Sequence, residues 1–434
     1  MMQIHRDANA SGLPSRKSWD ASESANHQPH LGRGFTVGMI LTAGLSTGAG
    51  CDGPPGTRTP VIDELPVLTA SEALRLGSVE DPDLGFSRVT GVEIDRDGNI
   101  LVGESLAGEI RVFDPNGNLL NRIGRRGEGP GEFNMLLQWG VVGDTVWVVD
   151  FQLQRTTLFD RDGSLLSTGN WAGVLVLYGT SGSAGLVGPV LMRADGLFTS
   201  EIMSLSLRIG GTPPDSVRVP KLLFDATGAV VDTVGWDVRP PDGQSGSARV
   251  QVGSRRYSVP RPPSGNVPRL WFAAGQWVVD GTVAGADTTS SFRVWRLGLT
   301  EDTLLTREYR YLPTRYPETV LDSIALRSAP GVSSAEAATA NAVLRAIRNA
   351  MDFPDFQPPV LEGVAGDDGT LWVRRGDTGG PSYQWLVIAP DGTPRGHVNI
   401  PRRARVSWVS ERGFIVVERD EFDVPWVVRF HLEG

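Results

Sequence analysis

The chain has 434 residues, of which 53 are glycine, 30 are proline and 40% are hydrophobic. A chain of this length can hold one large domain, and so much glycine and proline favours an all-β protein rich in turns over a helical protein. The formal net charge is −9 and no long basic run occurs, which argues against binding of nucleic acid through bulk electrostatics.

The N-terminal part of the chain resembles an export segment preceded by an extension. Residues 1–30 are polar and lack an apolar period, which predicts disorder or an untranslated stretch, with the true start at or near Leu31. Arg33 and the apolar core 35–45 then form a signal-like segment over 31–51. That core is too short to span a bilayer permanently. We therefore expect the protein to leave the cytoplasm.

Cys51 is the only cysteine of the chain, which excludes an internal disulfide bond and a metal site built from cysteines. Its position directly after the signal-like core predicts a bacterial lipoprotein with Cys51 as the lipidated N-terminus. Gly48 stands where such a cleavage site usually has an aliphatic residue, so an ordinary secreted protein is the alternative. Residues 52–65 then form a predicted tether rich in proline and glycine.

Two internal repeats indicate the fold of the remaining chain. Segment 75–86 is repeated at 123–133, with the same spacing between a glycine and a phenylalanine, and the turn at 113–117 recurs at 159–163. A period of about 40 to 50 residues that holds several short apolar strands and Asp/Asn-Gly turns is typical of β-propeller blades. The sequence therefore predicts a propeller over 66–434.

Six blades can be placed along the chain, and seven is the alternative. The last blade, near 406–430, has only three predicted strands. Residues 73–76, at the other end of the propeller, match an outer strand and are predicted to complete that blade and close the ring. We expect an all-β fold, a six-bladed β-propeller of four-stranded antiparallel blades with a small helical insert.

Strand alternation predicts two different faces. The first and third turns of each blade are short Asp/Asn-Gly turns on one face, here called the turn face. The second turns and the links between blades lie on the opposite face, here called the link face. Its long segments include the predicted inserts 237–266 and 313–358. The first insert suits a hairpin of Arg249–Val252 against Arg256–Val259, and the second suits a helix with a capping box from Ser333 to Glu336.

The link face is the predicted working face, because binding sites usually develop on long loops held by a rigid scaffold. The alternative is that the inserts only cover the ring. The five apolar residues that line one side of the predicted helix are Val343, Leu344, Ile347, Ala350 and Met351.

Segment 124–133 reads Gly-Arg-Arg-Gly-Glu-Gly-Pro-Gly-Glu-Phe. It resembles the signature loop of NHL-type six-bladed propellers, above all a branch of bacterial lipoproteins, and segment 150–160 resembles the NHL repeat itself. Blade 1 departs from that repeat, with Glu104 in place of Asp and Glu109 in place of Arg. The resemblance covers roughly 66–434. It implies the fold but little chemistry, because the family contains both scaffolds and sugar or lactone enzymes.

Seven residues are candidates for ligand binding: Arg125, Arg126, Glu128, Glu132, Trp139, Asp150 and Arg155. The arginines suit an anionic or sugar-like ligand, and Trp139 could serve as a stacking platform. The structural alternative is that Glu132 ties the loop to neighbouring amides. Asp150 and Arg155 occupy positions that often form a network between strands in NHL-like blades.

Histidine is scarce after the signal-like segment, where only His397 and His431 remain. A histidine-ligated metal site or a Ser-His-Asp relay is therefore hard to build. Lactonase-like propellers, as the resemblance implies, hold a divalent ion on the axis through carboxylate and amide oxygens. Glu128, Glu132 and Asn134 are the candidate ligands for such an ion. We predict no cofactor, with calcium as the alternative.

The expected function is that of an exported, lipid-anchored and monomeric propeller. It would bind a small ligand or an envelope protein through the link face, and contact the membrane only through the lipid on Cys51. The alternative is a metal-dependent enzyme of the lactonase or lyase type with its ion on the central axis. Nucleic acid is not an expected partner.

Overall fold

A computed structural model of the chain describes residues 61–81, 83–178, 183–205, 217–239, 249–252, 255–259, 266–281, 288–328 and 337–433. These residues form a six-bladed β-propeller, as the sequence predicts. The strands of each blade are antiparallel neighbours, and the first strands of adjacent blades contact each other around the central axis. No helix within these residues is long and apolar enough to cross a membrane.

The N-terminal half of the ring follows the predicted repeat. The strand β1 (Thr69–Leu76) belongs to blade 6. Blade 1 contains β2 (Val89–Ile94), β3 (Ile100–Glu104), β4 (Glu109–Phe113) and β5 (Leu119–Ile123). The link to blade 2 holds a short parallel pair, β6 (Arg125–Arg126) and β7 (Glu132–Phe133). Blade 2 contains β8 (Gln138–Val142), β9 (Thr145–Asp150), β10 (Arg155–Asp160) and β11 (Leu165–Asn170).

The third blade has five strands, whereas the sequence predicted four. They are β12 (Val174–Tyr178), β13 (Ser183–Met192), β14 (Phe198–Leu205), β15 (Val217–Phe224) and β16 (Val230–Arg239). The additional strand is β12, which pairs with the first half of β13, from Val174↔Val187 to Tyr178↔Ser183. On its other side this half of β13 pairs with β14, from Ala184↔Leu205 to Val187↔Ile202, and β12 covers the edge that would otherwise be open.

The C-terminal half completes the ring. A hairpin, β17 (Arg249–Val252) and β18 (Arg255–Ser258), precedes blade 4, which contains β19 (Asn266–Phe272), β20 (Gly275–Asp280), β21 (Ser290–Leu297) and β22 (Thr303–Tyr311). Two helices follow, α1 (Glu318–Arg327) and α2 (Ala337–Ala350). Blade 5 contains β23 (Glu362–Ala365), β24 (Leu371–Arg374), β25 (Ser382–Ile388) and β26 (Pro394–Pro401). Blade 6 contains β27 (Arg405–Val409), β28 (Gly413–Arg419), β29 (Pro425–Glu433) and β1.

The ring closes as predicted, because β1 pairs with β29 from Thr69↔Glu433 to Leu76↔Val427. The segment before β1 is also part of the fold. Ile62 is completely buried, in a short 3-10 helix, although the sequence placed residues 52–65 in a tether. This segment is held by His397 of blade 5, whose Nε2 donates a hydrogen bond of 2.7 Å to the Ile62 carbonyl oxygen. The N-terminal strand is therefore anchored on blade 5 before it completes blade 6.

The apolar core lies between neighbouring blades. Strand residues alternate between the two sides of each sheet, so every blade presents an apolar surface to the next one. Trp147 of blade 2 meets Phe198 of blade 3 edge-on, with ring centroids 5.9 Å apart. The ring centroids of Trp372 in blade 5 and Phe414 in blade 6 are 5.1 Å apart. These contacts hold the inner strands at constant positions around the axis.

The two inserts pack on each other through a small apolar cluster of their own. Val343 and Ile347 of α2 are buried with Ala325 of α1 and Tyr257 of the hairpin. The predicted apolar stripe of this helix is thereby confirmed at Val343 and Ile347. The second hairpin strand begins one residue earlier than predicted, and the predicted capping box lies outside the described residues.

The Asp-x-x-Gly turns of the turn face are explained by backbone geometry. The carboxylate of Asp95 accepts hydrogen bonds from the amides of Asp97 and Asn99, both 2.9 Å long. Gly98 has a φ of 85°, a conformation that favours glycine. Asp114 and Asp225 make the same kind of turn. Hydrogen bonds from the side chains of Asn118 and Thr227, and then from backbone amides, lower the pKa of Asp114 and Asp225 respectively.

Candidate functional site

The predicted ligand-binding loop 124–133 is held by its own charged residues. The carboxylate of Glu132 accepts hydrogen bonds from the Gly129 amide (2.8 Å) and from Nε of Arg125 (2.7 Å). These two bonds, the amide first, lower the pKa of Glu132. The guanidinium of Arg155 donates to the carbonyl oxygens of Glu128 (2.9 Å) and Glu132, which ties the loop to β10.

Asp150 is buried and caps two loops at once. Its Oδ2 accepts from the amides of Asn134 (2.7 Å) and Met135 (2.9 Å), and its Oδ1 accepts from those of Gln152 (2.9 Å) and Leu153 (3.0 Å). Four backbone donors therefore depend on one carboxylate. Such charge-assisted bonds give this side chain a structural role.

Trp139 is 7% exposed and lies between blades 1 and 2. Its Nε1 donates to Oγ1 of Thr90 (3.2 Å), and its ring occupies the space that a side chain at Gly103 would fill. Very little of the ring is accessible for stacking against a ligand.

Of the seven predicted residues, Arg125 and Arg126 are the exposed arginines, and 79% of the Arg125 side chain is accessible. Asn134 donates its side-chain amide to the Glu128 carboxylate (3.2 Å). Within the part of the chain that the structure describes, no three His, Cys, Asp or Glu side chains are grouped to hold a metal ion. A ligand-binding role for this loop, with or without calcium, stays a prediction.

The two departures of blade 1 from the NHL pattern preserve the same network. Glu104 is buried and accepts from the amides of Ser87 (2.8 Å) and Arg88 (2.9 Å), as Asp150 does in blade 2. Arg111, two positions after Glu109, donates to the carbonyl oxygens of Asp83 (3.2 Å) and Gly85 (2.6 Å). It thus takes the part that Arg155 has in blade 2, from a different position in the strand.

The central axis contains a second candidate site, on the turn face. The ends of the inner strands surround a cavity of about 80 Å³. Every blade contributes to it, in order through Glu93, Trp147, Met192, Trp271, Asp367 and Trp408. The cavity is large enough for several water molecules or for a small organic ligand. It is here called the axial pocket.

Two carboxyl groups belong to the axial pocket. Glu93 stands one residue before the end of β2, and Asp367 stands in the turn after β23. Burial, and then the charge of Asp367, raise the pKa of Glu93 well above its ordinary value. No donor among the described residues makes a hydrogen bond to the Glu93 carboxylate. Asp367 is an exposed residue whose pKa is nevertheless raised by partial desolvation, and the Ala273 amide offsets part of this effect.

Four polar atoms of the pocket lining also have no hydrogen-bond partner among the described residues. They are the indole nitrogens of Trp147, Trp271 and Trp408 and the hydroxyl oxygen of Ser407. Trp147 is 4% exposed, so its N–H does not reach bulk solvent either. Because these four atoms are themselves fully buried, they do not face the open space of the cavity and offer no donor to a bound molecule.

The axial pocket combines acidic, aromatic and apolar walls. None of the described residues that line it is basic. Among the arginines whose side chains the structure describes, those nearest along the chain have partners elsewhere. Arg193 pairs with Asp195 (2.6 Å), Arg405 donates to the Val89 carbonyl oxygen (3.1 Å) and Arg96 pairs with Asp144 (3.0 Å). The pocket can therefore offer aromatic surface and negative charge from two carboxyl groups.

Sequence reasoning missed this site, although one signal was present. Glu93 interrupts an alternating strand at a position that faces away from Val92 and Ile94. A charged residue in an innermost strand points toward the axis, where a purely structural residue would be apolar or small. The other lining residues show no such signal, because each one belongs to a different blade.

A family model described as a 6-bladed beta-propeller matches residues 83–176, in agreement with the fold. Among solved structures, a putative exported protein from Bacteroides fragilis shares 10% identity, with a TM-score of 0.41, over 85% of this chain and 96% of its own. A member of the duf4221 family from Bacteroides vulgatus shares 10% identity, with a TM-score of 0.43, over 85% and 98%.

Virginiamycin B lyase from Staphylococcus aureus is also similar, at 10% identity and a TM-score of 0.34, over 84% of this chain and 100% of its own. Similarities this distant give no information about activity. No curated protein matches the sequence. The functional argument therefore depends on the site itself.

Proposed function

We propose that this protein is an exported, lipid-anchored propeller that binds a small polar ligand in its axial pocket. The observation that carries the proposal is that side chains from all six blades, among them Trp147 and the unpaired carboxyl group of Glu93, line one cavity on the axis. An ionised carboxyl group with no partner inside a protein is costly to stability.

The pocket also has the form of a binding site. It is concave, it combines aromatic walls with few polar groups, and it lies where six rigid blades converge. The walls are inner strands and short turns, so the polar groups are held in place before a ligand arrives. Such preorganisation reduces the entropy lost on binding.

Export and lipidation are proposed from the sequence pattern alone, since 31–51 lies outside the described residues. The test is metabolic labelling with a palmitate analogue in a bacterial host. We expect label on the wild-type protein and none on the Cys51→Ala variant. Secretion of an unlabelled wild-type protein would contradict the lipid anchor. Envelope partners, the monomeric state and the lactonase- or lyase-like alternative stay predictions.

The binding proposal is tested by screening small polar molecules against the full chain, with tryptophan fluorescence and calorimetry as readouts. The informative variant is Trp147→Phe, which reduces the aromatic surface of the cavity wall. Its matched control is Trp372→Phe, because Trp372 is also a buried tryptophan but does not line the pocket.

We expect Trp147→Phe to weaken binding of any hit about tenfold, and Trp372→Phe to leave it unchanged. Equal effects of both variants would show a general loss of packing. If only the double variant Arg125→Ala/Arg126→Ala abolished binding, the ligand site would be the loop 124–133, and the axial proposal would be wrong.

A further inference from the structure

We infer that the ligand of the axial pocket is a small organic cation, a protonated or quaternary amine for which Glu93 and Asp367 provide the counter-charge. This inference rests on the proposed function and adds the chemical class of the ligand. It follows from three properties of the pocket: the sign of its charge, the nature of its walls and its size.

The charge of the pocket is not balanced within the described residues. Glu93 and Asp367 are the charged groups of the lining, and the lining from blades 2, 3, 4 and 6 is uncharged. An ionised Glu93 would therefore be desolvated without a partner, which is costly for any carboxylate. A cation between the two carboxyl groups removes this cost, whereas an anion would add to it.

The walls suit an organic cation rather than a bare metal ion. Trp271, Trp408 and Phe272 line the cavity together with the buried Trp147. Aromatic rings attract ammonium groups, and cages of such rings are a recurring way to bind quaternary amines. Hard metal ions require several oxygen ligands, and two carboxyl groups are too few for this.

The size of the cavity limits the ligand. A cavity of about 80 Å³ accommodates only a handful of non-hydrogen atoms, the size of a small alkylamine or amino alcohol.

Binding should be coupled to the ionisation of the pocket. Asp367 is the other charged group of the lining, its charge adds to burial in raising the pKa of Glu93, and none of the described lining residues is basic. Asp368, next in the chain, adds to desolvation in raising the pKa of Asp367 in turn. A cation favours the ionised form of both lining carboxyl groups, so its binding releases protons and strengthens as the pH rises. A neutral ligand would show no such dependence.

The experiment compares probes that differ only in charge. Choline, tetramethylammonium and ethanolamine are titrated into the full-length protein by calorimetry, with 3,3-dimethylbutan-1-ol as the uncharged carbon analogue of choline. We expect at least one cation to bind with a Kd below about 1 mM, and the uncharged analogue to bind at least about tenfold more weakly. The affinity for the cation should increase between about pH 5 and about pH 8.

The variants Glu93→Gln and Asp367→Asn should each weaken cation binding about tenfold without affecting the uncharged analogue. The matched control is Asp97→Asn, which changes the net charge equally on the same face but does not line the pocket. Unchanged cation affinity in Glu93→Gln, or equal affinity for choline and its analogue, would overturn the inference.

The same measurements separate this inference from the proposed function. If the uncharged analogue binds as tightly as the cations and Trp147→Phe weakens its binding, the pocket is a ligand site but the ligand is neutral. If none of these probes binds, the cation inference is wrong, and the wider screen with the two tryptophan variants decides the proposed function.

Discussion

The loop 124–133 and the axial pocket contain similar residue types but use them in opposite ways. In the loop, the charged groups of Glu132 and Arg155 bind neighbouring backbone atoms at hydrogen-bonding distance. In the pocket, Glu93 and the indole of Trp147 have no hydrogen-bond partner among the described residues. The loop uses its charged side chains to hold its own backbone, whereas the carboxyl group of Glu93 in the pocket holds none.

This difference shows that a cluster of charged residues in a sequence does not by itself indicate a binding site. A loop with many glycines needs side chains to hold its backbone, because glycine loses the most conformational entropy on folding. Arg125, Glu132 and Arg155 provide this support. The pocket is built on strands, which need no such support, so the carboxyl group of Glu93 holds no backbone in place as Glu132 does.

The largest expected effect is on the loop side of the comparison, at Asp150. Asp150→Ala leaves four backbone amides without their acceptor, and we expect a loss of about 3 kcal/mol or more in the free energy of unfolding. Asp150→Asn keeps one oxygen and should recover part of this loss. Urea unfolding measures both.

The control for this prediction is Asp162→Ala, at an exposed turn position, which should change stability by less than about 0.5 kcal/mol. A similarly small change for Asp150→Ala would contradict the structural role of the carboxylate.

In the pocket, loss of a carboxylate should have the opposite effect on the free energy of unfolding. Glu93→Gln should stabilise the protein at neutral pH. The pKa of Glu93 is raised by burial, so its ionised form is less stable in the folded than in the unfolded chain. Glu93 therefore destabilises the fold above its folded pKa, and this effect disappears as the pH falls toward the ordinary value of 4.5.

The measurement is the urea midpoint of wild type and Glu93→Gln as a function of pH. The urea midpoint of Glu93→Gln should exceed that of wild type by an amount that shrinks as the pH falls and vanishes below about pH 4.5. A variant that is less stable than wild type at neutral pH would mean that Glu93 has a structural partner, and the contrast with the loop would be lost.

His397 tests whether an unpartnered buried atom is sufficient to indicate a site. Its Nδ1 has no partner among the described residues, yet the ring lies in the packed contact with Ile62 and lines none of the described cavities. Burial lowers the pKa of His397. The unfolded chain therefore takes up a proton first, and stability should fall as the pH drops below the ordinary value of 6.5 until it reaches the lower folded pKa.

His397→Gln should reduce this slope and should also lower stability at neutral pH by about 1 kcal/mol, because the contact with the Ile62 carbonyl is altered. His431→Gln, at an exposed position, is the control and should keep the wild-type slope. Ligand binding should be unaffected in either variant. If stability still falls with pH in the same way in His397→Gln, other titrating groups cause this pH dependence.

The smallest effect is expected at Arg125. Its ion pair with Glu132 is 79% exposed on the arginine side, and such pairs contribute between about 0 and 1 kcal/mol. Arg125→Ala should change the urea midpoint only slightly and leave the affinity of the axial pocket unchanged. A strong loss of ligand affinity would instead return the binding site to the link face.

Most of the ring could be predicted from the sequence because its rules are local. Asp95 and Gly98 determine a turn within four residues, and the alternation in 89–94 determines which side chains are buried. The three-stranded last blade required a partner, and β1 was the available strand. Even the altered network of blade 1 stays within one repeat, since Glu104 and Arg111 bind backbone atoms of the adjoining link.

The rest depends on contacts between distant parts of the chain. The strand β12 pairs with the free edge of β13, and α2 packs against the hairpin residue Tyr257. The axial pocket is the strongest case. Glu93 and Asp367 lie in blades 1 and 5, and only closure of the ring places them in one cavity. The sequence determined the blades, whereas the tertiary structure alone decided which side chains share the axis, because a closed ring brings together residues that no spacing pattern relates.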